Sequence, residues 1–134
     1  MSIQRPTEDQ AHQASLADLE DLLVKGDAAV IATDLDGMIT HWSVAAERLY
    51  GWSGDEAIGS AILELLVMRR DQTLGEDAID STLETGSWEG KFEVRCKDGT
   101  FMLAFVRGTL IKDDVGRSVG MLGLSMDATA PRAA

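Results

Sequence analysis

A single cysteine, two histidines and a shortage of cationic side chains set the first limits on this 134-residue chain. Cys96 has no second cysteine with which to close an internal disulfide, which fits a reducing cytoplasm. Twelve Lys and Arg face 23 Asp and Glu, for a formal net charge of -11. Nucleic acid needs clustered cations against its phosphates, so it is not expected as a partner, and an anionic membrane surface is disfavoured on the same ground. No stretch approaches the roughly 20 apolar residues of a membrane span, and the polar start from Met1 to Gln13 carries no apolar signal region. A phosphate-cradling glycine loop, zinc-ligand spacing and a Gly-x-Ser-x-Gly elbow are all missing, as are internal repeats and low-complexity segments. The expectation is a soluble cytoplasmic domain that is not an enzyme, and 45% hydrophobic residues suffice for one core.

Turns are what the chain has in quantity. Asp34-Leu35-Asp36-Gly37, Lys97-Asp98-Gly99 and Asp113-Asp114-Val115-Gly116 each separate two apolar runs of strand length, and so predict hairpins. Their aspartates need no catalytic role, because local hydrogen bonding in the turns explains them. Val30 to Thr33 and Met38 to Trp42 form the first predicted hairpin. Ser43 then caps a helix from Val44 to Tyr50 that Gly51 stops, and Ser53-Gly54-Asp55-Glu56 is a capping box for a helix ending at Gly59. Ser60 starts a further turn through Leu66. From Asp71 to Thr85, Leu74, Ala78, Ile79 and Leu83 mark a longer amphipathic helix ended by Gly86.

Strand pattern returns at Trp88. Phe92, Val94 and Cys96 alternate with Lys91, Glu93 and Arg95, as in an edge strand wet on one side. Phe101 to Val106 and Val119 to Met126 are almost continuously apolar, so both of their faces should be covered. Met102, Ala104 and Val106 point one way, Leu103 and Phe105 the other. Near the N-terminus, capping boxes at Thr7 and Ser15 start helical structure that ends at Gly26. Its stripe of Leu16, Leu19, Leu22 and Leu23 is the natural cover for the Leu103/Phe105 face, from the same chain or from a second copy. These six residues are the candidate dimer interface.

The fold class expected is therefore α+β: a five-stranded antiparallel sheet with helices inserted between strands 2 and 3, plus an N-terminal amphipathic helix. The strand, Asp-x-Asp-Gly turn and strand, followed by Ala45-Ala46-Glu47-Arg48-Leu49-Tyr50-Gly51-Trp52-Ser53, Glu56-Ala57-Ile58-Gly59, Gly86-Ser87-Trp88-Glu89-Gly90, Lys97-Asp98-Gly99-Thr100 and a closing Met126-Asp127-Ala128-Thr129, resemble a PAS domain. The resemblance runs from about Asp27 to Thr129. It divides the chain into an N-terminal helical cap or dimerisation segment (1–26), the PAS domain (27–129) and the start of a linker to an output domain (130–134). It also implies a sensory or dimerisation module of a larger signalling protein, in which Asp127 and Thr129 relay the signal.

Each cofactor of the resembled family was weighed against these residues. Haem needs an axial ligand, and the 71–85 helix has no histidine; His12 lies in the polar N-terminal segment and His41 in the second strand. Flavin photosensors of the family carry a reactive cysteine where this chain has Ile62, and two of the three positions matching their polar flavin contacts, Val94, Ala104 and Ser125, are apolar. Haem and flavin are thus disfavoured. Organic-anion sensing lacks convergent cations. What remains is a cavity lined by Ile31, Leu49, Ile62, Leu66, Phe92, Val94, Met102, Val106 and Met121, with Thr33, Tyr50 and Ser125 as polar handles and Ala104, Gly108 and Gly123 leaving room. Such a lining accepts a fatty acid or similar lipophile. The alternative is a ligand-free dimerisation module whose core the same side chains fill.

Overall fold

A computed structural model of the chain describes residues 16–128. The helix starts expected at Thr7 and Ser15, His12, Thr129 and the linker at 130–134 lie outside the described residues, as do the side chains of Leu16 and Leu19. In chain order the elements are α1 (Leu16–Lys25), β1 (Ala29–Thr33), β2 (Ile39–Trp42), α2 (Val44–Tyr50), α3 (Gly54–Ala57), α4 (Ile62–Leu66), a single 3₁₀ turn (Arg69–Asp71), α5 (Gln72–Thr85), β3 (Ser87–Arg95), β4 (Phe101–Lys112) and β5 (Ser118–Asp127).

One device makes all three hairpin turns. Asp34 Oδ1 accepts from the backbone N–H of Asp36 and Met38, Asp98 Oδ1 from Thr100, and Asp113 Oδ1 from Val115 and Arg117, each at 2.9–3.0 Å. Gly37, Gly99 and Gly116 then close the turns with φ of 84–90°, a region only glycine enters without strain. The caps follow the sequence closely. Ser43 Oγ accepts from Ala46 N, Gly51 ends α2 in a left-handed conformation, and Ser53 and Glu56 form a reciprocal capping box. Ser60 does not cap α4: the N-cap is Ala61, with no side-chain bond, and Ser60 Oγ turns back to Glu56 O.

The strands form one antiparallel sheet in the order β2-β1-β5-β4-β3, so β5 is central and β3 lies at an edge. Bridges between Met38 and Ala61 and between Val67 and Val94 pin the helical insert over one face. Under it lies the main core, which includes Trp42, Tyr50, Leu66, Phe92, Val94 and Ala104. The other face carries a smaller cluster of Ala28, Phe105, Met126 and Ala128, with Leu22, Leu103 and Leu124 packed against it. Leu22 of α1 therefore rests on its own sheet, whereas Leu23 is exposed.

One expectation is corrected, and one falls partly outside the described residues. The inward side of α5 is Gly75, Ala78 and Thr82, while Leu74 and Leu83 are exposed. Small side chains face inward there because Leu63 of α4 presses on Gly75 and Gly108 of β4 lies against Thr82. Among the described residues, the outer flanks of β4 and β5 are covered near Phe105 and Met126, while Ile111, Leu122 and Leu124 stay half-buried and Val119 is exposed; the Leu16 and Leu19 side chains expected to cover this face are not among them.

Candidate ligand cavity

A cavity of about 120 Å³ lies between α4, α5 and the inner face of the sheet. Its floor comes from the strands: Ile31 and Thr33 of β1, Trp88, Phe92 and Val94 of β3, Val106 and Gly108 of β4, and Met121, Leu122, Gly123 and Ser125 of β5. Its roof is Ile62, Leu63, Leu66 and Val67 with Gly75, Ala78, Ile79 and Thr82, and Tyr50 closes one end. Of the sequence-predicted positions, Leu49, Met102 and Ala104 do not line it. Ala104 is fully buried within the solid core, and Leu49 and Met102 pack around that core.

Leu63, Val67, Gly75, Ala78, Ile79, Thr82, Trp88 and Leu122 line it beyond the sequence expectation. A signal for part of them exists in the chain. Gly75, Ala78 and Thr82 recur at three- and four-residue steps, a stripe of small side chains along one helix face. The glycines are where the walls come closest. A Cβ on Gly75 would stand 2.7 Å from Leu63 Cδ2, and one on Gly108 would stand 3.1 Å from Thr82 Oγ1. Gln72 Nε2 donates to the carbonyls of Leu63 and Val67 at 2.9 and 2.8 Å, tying α4 to the start of α5 so that the roof is one piece.

Polar atoms in this lining are few. Tyr50 donates to Ser125 Oγ at 2.7 Å, and burial pushes the phenol well above its usual value, so it stays neutral. Thr82 Oγ1 donates to Ala78 O within its own helix. Thr33 is different: it is buried, and its Oγ1 has no hydrogen-bond partner among the described residues. Its position follows from alternation: Ala29, Ile31 and Thr33 form the buried face of β1. Opposite it, Ala32 pairs with His41 and Thr33 with Ile39, leaving Thr40 as an extra residue on β2. Among the described residues, no Lys, Arg or His lines the cavity.

The PAS fold is a family whose model matches residues 17–128 of this sequence. The chain belongs to the PAS family. Among solved structures it resembles the PAS domain of a protein from Colwellia psychrerythraea, at 28% identity and a TM-score of 0.71, over 84% of this chain and 98% of that one. The PAS domain of the RpfR quorum-sensing receptor of Cronobacter turicensis, solved in complex with BDSF and with C12:0, matches at 15% identity and TM-scores of 0.63 and 0.64, over 75% of this chain and 93% of that one. No match is found among curated proteins.

For a PAS domain, the residues here fit neither haem nor flavin. His41 is exposed on edge strand β2, away from the cavity. Ile62 and Val94 face the cavity as hydrocarbon, and Ala104 does not reach it. An apolar cavity of about 150 Å³ holds one benzene-sized molecule, so a three-ring isoalloxazine exceeds this space. Among the described residues no group of three or more His, Cys, Asp or Glu could hold a metal ion, and no helix is long and apolar enough to cross a membrane. Cys96 lies outside the cavity, half-buried, with its thiol pushed up by burial and its Sγ 3.8 Å from Leu49 O.

Proposed function

We propose that this PAS domain is a sensory input module that binds a small apolar molecule in its internal cavity and relays occupancy to an attached effector. The observation that carries this reading is the cavity itself, unfilled by side chains and lined by hydrocarbon with no cation. The RpfR domains, similar in fold, were solved with BDSF and C12:0, which supports fatty-acid-like ligands as one class. A chain of twelve carbons needs about twice the room of a benzene ring, so α5 must lift from the sheet to admit it. That movement is a means of signalling, because a ligand shifts an equilibrium only by binding two conformations unequally. β5 lines the cavity and ends at Asp127, which supports a route through Asp127 and on along the chain to Thr129 and an output domain.

Native mass spectrometry of the freshly purified chain, with a titration of fatty acids of increasing length, tests the reading. A ligand at 100 times its Kd stabilises the fold by about 2.7 kcal/mol, well within reach of thermal unfolding. No copurified apolar species and no thermal response to any chain length or to toluene would refute it.

A second reading is compatible with the first. The half-buried Ile111, Leu122 and Leu124 leave an apolar strip on the outer face beside α1, which supports a homodimer formed through this face.

A further inference from the structure

Two buried polar side-chain atoms have no hydrogen-bond partner among the described residues, Thr33 Oγ1 and Trp52 Nε1, and of these residues only Thr33 lines the cavity. A buried hydroxyl left unpaired costs about 1–3 kcal/mol, so a native fold that keeps one facing a cavity has a use for it. Strand alternation sets it there, on the buried face of β1 with Ala29 and Ile31, in unbroken register with β5. Close backbone packing holds the strand: Gly120 approaches so nearly that a Cβ on it would stand 2.5 Å from the Thr33 carbonyl oxygen. The other hydroxyls, of Tyr50 and Ser125, bond to each other at the far end of β1, where Ser125 pairs with Ala29. Four residues of strand put about 13 Å between the two ends. Among the described lining residues, Thr33 is thus the one whose side-chain polar atom has no hydrogen-bond partner at all, and it stands at one pole of the cavity.

Charge is handled in the opposite way. Among the described residues no cation lines the space and Tyr50 is the one titratable lining group, and the chain as a whole is strongly anionic. An ionised carboxylate placed here would lose its hydration without gaining a partner ion.

Resting on the ligand-binding reading above, we propose that the cavity selects an uncharged molecule about the size of a benzene ring, bearing one hydroxyl or carbonyl group, which Thr33 Oγ1 reads by a hydrogen bond. Carboxylic acids enter only in the protonated form. The polar end of the ligand lies beside Thr33 and Met121, and its apolar body points toward Phe92 and Val94.

Phenol and toluene, matched in size, and the larger, charged benzoate separate the terms when titrated at pH 7.5 into the full 134-residue chain followed by ¹⁵N amide spectra. Phenol is expected to bind about tenfold tighter than toluene, the worth of one net hydrogen bond, and benzoate at least a hundredfold weaker than phenol. In Thr33→Val, nearly the same shape without the hydroxyl, phenol falls to the affinity of toluene, while toluene is unchanged. Thr33→Ser restores the preference. Benzoate binding as well as phenol, or a phenol preference that survives Thr33→Val, overturns the inference while leaving a ligand cavity in place. Failure of all three to bind takes the cavity reading down with it.

Discussion

Tyr50 and Ser125, 75 residues apart, share a hydrogen bond of 2.7 Å that joins α2 to the central strand of the sheet. Both side chains are almost wholly buried, so neither has water to fall back on. Ser125→Ala strands the Tyr50 hydroxyl and is expected to cost about 1–3 kcal/mol, whereas Tyr50→Phe removes the donor with its need and costs about 0.5–1.5 kcal/mol. Urea unfolding of both and of the double variant measures the coupling. Strict additivity would show that the two hydroxyls do not interact.

Gly123 and Ala104 both lie on the inner face of the sheet and part company in surroundings. A Cβ at Gly123 would sit 3.6 Å from Ile31 O, an ordinary contact, and would project into the cavity. Ala104 has no accessible surface and no cavity beside it. Gly123→Ala is expected to leave stability within about 1 kcal/mol of wild type and to weaken toluene binding. Ala104→Leu overpacks the core and costs about 1–3 kcal/mol. Urea midpoints and a toluene titration on both variants check the pair.

Acid should destabilise the domain through three exposed carboxylates. A hydrogen bond from Lys97 holds Glu56 below its usual 4.5, the Thr100 side chain holds Asp98 below 3.8, and the backbone N–H of Arg117 does the same for Asp113. Each binds its proton less tightly when folded than when unfolded. Its stabilisation is therefore present above the unfolded value and is lost as pH falls through the folded one. Urea midpoints are expected to hold from pH 7 to about 5 and to drop below that, less steeply in Glu56→Gln and Asp113→Asn. A midpoint that rises on acidification contradicts this.

Leu124 tests the outer face. It is half-buried beside Leu22, Phe105 and Met126, on the side of the sheet away from the cavity. Leu124→Asp is expected to halve the mass seen by light scattering while leaving toluene affinity unchanged. An unaltered mass removes this face as the dimer contact.

Much of the fold was legible because its signals are local. An aspartate that caps its own turn, a serine that caps a helix and a glycine at positive φ each act within a few residues, so the three hairpins and the 44–50 helix could be placed by reading along the chain. Alternation in β3 and the opposed faces of β4 were equally plain. The lining residues on the strands followed from that alternation, and Ile31, Thr33, Phe92, Val94, Val106, Met121, Gly123 and Ser125 all reach the cavity.

What the chain could not reveal by itself was how near the helices come to the sheet. Hydrophobicity alone assigns Leu74 and Leu83 inward, yet α5 turns Gly75, Ala78 and Thr82 inward, because Leu63 of α4 presses on Gly75 and Gly108 of the sheet lies against Thr82. The same distance sets the size of the cavity and hence the size of a molecule that fits it. The sequence by itself determined the elements, their order and the apolar character of the inner face, all products of short-range bonding and side-chain period. Only the tertiary structure decided which hydroxyl stays unpaired, because that depends on contacts between segments far apart in the chain, such as the one that brings Tyr50 to Ser125 and, among the described residues, none to Thr33 Oγ1.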